Sequence, residues 1–421
     1  MDILLRQVTI IDSSSPFHQQ KADIFIQQGK IVEITESVDR SADKIIDIPG
    51  LHISMGWVDV FAQIPDPGYE FKETLESGAN AAASGGFTDV FLTPDSSPVV
   101  HNKSGIEYIK QRSKSLPVNF HPIGAVTKSL DEKELAEMYD MHQNGAIAFG
   151  DGFKSIQSSG ILLKALQYVK AVDKCIIQLP DDKSIQPNGL MNEGIQSTRT
   201  GLPGRPSLAE ELMVVRDIEI LKYTGSRLHI TGITSKKSIE LIKAAKKEGL
   251  NVTCSVTPYH LYFIDNDLAN YDTNLKVNPP LRSREDKDAL IEAVLDGTVD
   301  FIASHHMPQH ADAKIIEFEY AKDGMIGLQT SFAAVYTAIP KLSPDKIVNL
   351  FSYNARKYFD LPIFKIEKDA EACLTLFHLD QQWIFESSLN YSKSSNSAFF
   401  GRPLLSKPLG IINKGSLFLN E

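Results

Sequence analysis

Histidine and carboxylate side chains carry most of the chemistry this 421-residue chain can offer, and they are unevenly spread. The densest group is His305, His306 and His310, with Asp300 just before them. Neutral imidazole and carboxylate oxygen are zinc ligands, so this group, joined by Asp151 or His260, is one candidate mononuclear metal site. Successive strand residues face opposite sides, so only one of His305 and His306 can enter a common site. Plainer roles are equally concrete. An Asp at a strand end serves as a cap or loop acceptor, and His260 as a hydrogen-bonded core residue. Cys175, Cys254 and Cys373 are far apart and form no CxxC pair, which points to buried thiols and away from a disulfide framework or a thiolate zinc cage.

The elements that must position these groups are legible from hydrophobic patterning. Residues 2–11, 22–27 and 30–34 are short β-rich runs separated by turn signals, and they predict a small antiparallel sheet. After Pro49-Gly50 the texture changes. Apolar runs at 87–92, 119–125, 146–149, 174–179, 227–233, 251–256 and 299–304 alternate with amphipathic helical stretches such as 208–221 and 238–248, the signature of repeated βα units. Seven or eight such units favour a closed (β/α)₈ barrel, and no GxGxxG turn supports an open dinucleotide-binding sheet. The chain returns to β-like runs at 372–378 and 382–386. The expectation is an α/β protein: a TIM barrel over residues 54–359, with a composite β-sandwich from residues 1–53 and 360–421.

Composition excludes several partners. The net charge is -10 and the pI about 5.6, with both signs interspersed, which argues against nucleic-acid and anionic-membrane binding. Met1-Asp2-Ile3-Leu4-Leu5-Arg6 carries an early charge and no long apolar run, so neither a signal peptide nor a membrane span is expected, and a cytoplasmic location is.

In a barrel of this kind chemistry sits where strands end in loops. Strings at those ends resemble dihydroorotases of the amidohydrolase superfamily. They include Gly56-Trp57-Val58-Asp59-Val60, Asp66-Pro67-Gly68, Asn192-Glu193-Gly194, Gly201-Leu202-Pro203-Gly204 and Thr257-Pro258-Tyr259-His260-Leu261. Further matches are Lys276-Val277-Asn278-Pro279-Pro280-Leu281-Arg282 and Gly324-Met325-Ile326-Gly327-Leu328-Gln329-Thr330, and the likeness runs nearly end to end. It implies a metal-dependent cyclic amidohydrolase of pyrimidine synthesis, since metal polarises a ring amide and deprotonates water near neutral pH.

The ligands that the resemblance requires are mostly gone. The family's DxHxH string reads Asp59-Val60-Phe61-Ala62-Gln63, so Phe61 and Gln63 stand where two histidines would converge. The FSDDG-like string reads Phe149-Gly150-Asp151-Gly152, in which Asp151 is the one bridging carboxylate left. Gln178 and Gly232 stand at the next two histidine positions, and His305 at the aspartate of the DHAPH string. The substrate positions implied by the family are altered too. Pro65 replaces a carboxylate-gripping arginine, Asp95 an asparagine and Gln309 a histidine, while Asn278 is intact. The expected protein is thus a catalytically inactive dihydroorotase homologue without a cofactor, the alternatives being a rebuilt zinc site or a small-ligand binder. Inactive dihydroorotase-like chains of this family are structural partners of aspartate transcarbamoylase, so the resemblance implies that association, or a homodimer.

Overall fold

The computed structural model describes residues 1–420. Its centre is an eight-stranded parallel barrel in sequence order: Trp57–Ala62, Phe87–Leu92, Asn119–Gly124, Ala148–Phe149, Ile176–Gln178, Leu228–Ile230, Val252–Val256 and Phe301–Ile302. The ring closes where Ala62 bridges His306 in parallel and Gln63 N–H donates to His306 O at 2.8 Å. All six residues of Phe87–Leu92 are buried, as expected for a strand covered on one side by helices and on the other by the barrel interior.

Helices form where a cap and an apolar stripe coincide. In Lys236–Lys247 the Ser235 hydroxyl accepts from Ser238 N–H, and Ile239, Ile242 and Ala245 turn one face inward. A residue at φ +81, Gly249, then lets the chain turn back toward Val252–Val256.

Both chain ends enter one second, eight-stranded sheet, ordered Ser416–Leu419, Pro403–Asn413, Leu374–Ile384, Leu51–Met55, Asp2–Ile11, Lys21–Gln27 and Lys30–Thr35, with Lys44–Ile46 beside Asp2–Ile11. The C-terminal run joins the N-terminal one through antiparallel pairing of Leu374–Ile384 with Leu51–Met55. This sheet is fastened to the N-terminal end of the barrel. Trp57 N–H donates to the Thr375 hydroxyl at 3.0 Å, which itself donates to Gly86 O at 2.6 Å. Buried Arg356 donates to Gly56 O at 2.9 Å and to Asp89 at 2.6 Å, and Asp89 also accepts from His121 at 2.8 Å and Asn119 at 3.1 Å. Burial alone would raise the Asp89 carboxyl, but the Arg356 charge and the His121 contact outweigh it and hold it well below the carboxylate range.

Among the described residues no helix is long and apolar enough to cross a membrane.

Candidate functional site

At the C-terminal ends of the barrel strands, the residues at the family's metal positions come together but do not form a metal site. Phe61, on strand Trp57–Ala62, is buried, with its ring 4.7 Å from His305 and 4.9 Å from Phe153. The rings of Phe153 and His305 are 5.5 Å apart. These three side chains make one packed aromatic plug. Gly232 is what admits it: a Cβ on that residue would lie 2.6 Å from His305 Cε1 and 3.0 Å from Leu179 Cδ1. The missing side chain at Gly232 is therefore filled by His305, which has swung into the interior from a backbone at φ +45.

Most of the remaining donors are engaged within the protein. His305 Nε2 lies 2.7 Å from the Thr231 hydroxyl, and a chain of hydrogen bonds continues from Thr231 to Ser255 at 2.9 Å and from Ser255 to His229 at 3.1 Å. Burial, reinforced by the neighbouring His260 and His229, depresses the His305 pKa far below the usual imidazole value, so it packs as a neutral ring. Gln178 turns its amide onto a backbone, donating to Ile156 O at 3.2 Å and accepting from Ile156 N–H at 3.3 Å. Gln63 donates to Asp95 at 2.5 Å. Asp151 accepts from Val126 N–H at 2.8 Å and from the Thr127 hydroxyl at 2.6 Å, so it clamps a loop; burial raises its pKa to about 6 against those bonds. Asp59 accepts from Ser304 N–H at 2.7 Å and from its hydroxyl at 2.5 Å, with burial raising it to about 7.

The alternative cluster of His305, His306, His310, Asp151 and His260 does not converge, and the structure corrects that candidate. His306 faces away from His305: its Nδ1 accepts from Gly327 N–H at 3.2 Å and its Nε2 is 3.5 Å from Glu73. His260 accepts from the Thr257 hydroxyl at 2.7 Å and donates to Pro280 O at 3.2 Å. His310 is exposed beside Asp312, and Asp300 sits at the opposite end of its strand, paired with Lys246 at 2.5 Å. Among the described residues no three His, Cys, Asp or Glu side chains are grouped as metal ligands would be. This donor set does not fit the metal of the family, and no chemical step is derived through one.

The substrate positions are likewise committed to the protein. Asn278 accepts from Arg205 at 2.7 Å, and Arg205 stands 3.5 Å from Asp181. Gln309 donates to Asp323 O at 2.8 Å, and Pro65 is a buried ring with no N–H to offer. Half-buried Asp95 holds a carboxyl raised by burial, opposed in part by Gln63, and its Oδ1 has no hydrogen-bond partner. Reading by motif missed Phe153 and Arg205. Phe153 lies in the loop just after the Phe149-Gly150-Asp151-Gly152 string, and Arg205, on the short strand Gly204–Arg205 paired with Met191–Asn192, stands between the Gly201-Leu202-Pro203-Gly204 string and Pro206, where no motif position marks it.

A closed parallel barrel joined to a sheet from both chain ends is the architecture of the amidohydrolases. The solved L-hydantoinase of Arthrobacter aurescens overlays it with a TM-score of 0.84 at 24% identity, covering 100% of this chain and 96% of that one. A dihydropyrimidinase from Brevibacillus agri gives 0.81 at 18%, covering 100% and 95%. A family model described as dihydro-orotase-like matches residues 50–238. The dihydroorotase of Syntrophus aciditrophicus is 37% identical over 426 residues, 100% of both chains, and that of Carboxydothermus hydrogenoformans 38% over 400 residues, 94% of this chain and 93% of its own. The chain belongs to the dihydroorotase family.

Proposed function

We propose that this dihydroorotase homologue does not catalyse the family's ring opening and closing, and that it serves pyrimidine synthesis by association, as a structural or regulatory partner of aspartate transcarbamoylase or as a homodimer. The observation that supports this reading most is the aromatic plug: His305 fills the space that Gly232 leaves open and packs against Phe61 and Phe153, where the chemistry of amide hydrolysis needs a polar, metal-holding pocket. The arginine that would grip a substrate carboxylate is replaced by Pro65, and Asn278 is bound to Arg205.

The test is elemental analysis of chain purified without chelator, with a dihydroorotase assay in both directions. The expected result is substoichiometric zinc and no turnover above a blank. One or two equivalents of zinc, lost together with activity on chelation, would replace this reading with that of an active enzyme on a rebuilt site. Association is tested separately, by mixing the chain with the transcarbamoylase of its own cells and following particle size and carbamoyl transfer. No change in either, from a monomeric chain, would refute it.

A further inference from the structure

The chain contains two Asn-Gly steps, Asn144-Gly145 and Asn188-Gly189. An asparagine followed by glycine is the least hindered place for a backbone nitrogen to attack a side-chain amide, because glycine has no Cβ to shield its N–H. Whether the attack proceeds depends on what holds the two residues, and the fold holds the two steps differently.

At Asn144-Gly145 the reacting groups are tied. Asn144 caps the helix Met138–Gln143. Its backbone N–H donates to Asp140 O at 3.2 Å, its side-chain amide donates to the same carbonyl at 2.8 Å, and Gly145 N–H donates to His142 O at 3.0 Å. Asn188 is instead exposed in the turn Pro187-Asn188, and its amide has no hydrogen-bond partner among the described residues. Gly189 N–H makes only a long bond of 3.3 Å to Gln186 O.

The glycine of this second step is fixed by packing. A Cβ on Gly189 would lie 2.7 Å from Arg205 Cβ and 2.9 Å from Arg205 Cα. Arg205 is the residue that donates to Asn278 at 2.7 Å and stands 3.5 Å from Asp181. The close approach of two backbones at the barrel mouth thus requires glycine immediately after an exposed asparagine.

We propose that Asn188 is a site of spontaneous deamidation through a cyclic imide, from which the fold protects Asn144. Hydroxide takes the Gly189 N–H proton, the nitrogen bonds to Asn188 Cγ, and the Cγ–Nδ2 bond breaks with loss of ammonia. Water then opens the ring. Opening at Cγ gives aspartate. Opening at the main-chain carbonyl gives isoaspartate, whose backbone runs through Cβ and Cγ and is longer by one methylene beside Arg205. Either product adds one negative charge, and water is the only other reactant.

The experiment incubates the full chain in mildly alkaline buffer, follows acidic forms by anion exchange and maps the tryptic peptides 184–199 and 134–154, which carry the two steps. Position 188 converts at least about tenfold faster than position 144, the factor set by a hydrogen bond that must break first, and it yields both aspartate and isoaspartate. Asn188→Gln, which would need a larger ring, loses the acidic form derived from this peptide; the position is exposed, so its melting temperature is unchanged. Equal rates at the two steps would overturn the protection assigned to the helix cap. Aspartate at 188 without isoaspartate would overturn the imide route. An unmodified Asn188 would overturn the proposal as a whole, by showing that Gly189 is held too firmly against Arg205 to react.

Discussion

The two ends of the barrel treat buried polar groups in opposite ways. At the N-terminal end Asp89 has four donors: Arg356 at 2.6 Å, His121 and Thr88 at 2.8 Å, and Asn119 at 3.1 Å. At the C-terminal end Asp95 Oδ1, Ser155 Oγ and His305 Nδ1 are buried without a hydrogen-bond partner, and the space between strand ends is filled by aromatic rings. The first end joins barrel to sheet, and the buried Asp89 and Arg356 charges there match each other. The second is where the family's chemistry belongs, and several of its buried polar groups have no partner. A frame under selection for folding keeps its networks complete, because one unpaired buried group costs about 1 to 3 kcal/mol.

The sharpest way to break this comparison is to remove Arg356. Arg356→Ala leaves Asp89 buried beside fewer donors, and a loss of about 3 to 5 kcal/mol in denaturant unfolding is expected. Because the folded Asp89 carboxyl sits below its unfolded value, its stabilisation is fully present above about pH 4 and fades as pH falls below that. Arg356→Ala should therefore flatten the acid limb of the stability profile. A loss under about 1 kcal/mol would show that the N-terminal network is not the anchor described.

Next is the plug. Phe61→Ala should cost about 3 kcal/mol by leaving an apolar cavity against His305 and Phe153, measured the same way. Phe61→His should lower stability and still take up no zinc, read by calorimetric titration, because Gln63, Gln178 and Gly232 supply no companion ligands. Tight stoichiometric zinc in that variant would mean that the site lies a single residue from function.

The smallest effect is expected at Asp95. Burial raises its carboxyl, so its contribution has the sign opposite to that of Asp89: it is most favourable below the unfolded value and is lost as pH rises through the folded one. Asp95→Asn should be neutral or stabilising by up to about 1 kcal/mol near pH 7, with the gain vanishing below about pH 4. A marked destabilisation at neutral pH would mean that the ionised carboxylate holds the mouth together.

The sequence by itself determined the order of βα units and the union of the two ends, because alternation of apolar runs, helical stripes and turn residues is a local property that each segment carries alone. It also determined which donors are missing, since Phe61 offers no lone pair and Gln178 and Gly232 no imidazole, thiolate or carboxylate for zinc. The strands are shorter than the apolar runs: the run at 146–149 contains the two-residue strand Ala148–Phe149 and 299–304 contains Phe301–Ile302, because hydrophobic patterning extends into buried segments whose single hydrogen bonds to neighbouring strands, such as Ile147 N–H to Pro122 O and Ala303 N–H to Val256 O, do not continue the ladder. Only the tertiary structure decided what fills the vacated position. Phe61, Phe153 and His305 belong to three separate strand ends and loops, and they meet because closure of the barrel brings first strand and last together. The same closure sent His305 inward to Thr231 and His306 outward to Glu73, and thereby dissolved a histidine cluster that is compact in sequence. Proximity along a chain sets which residues are available, and the alternation of strand faces sets which of them can share a site.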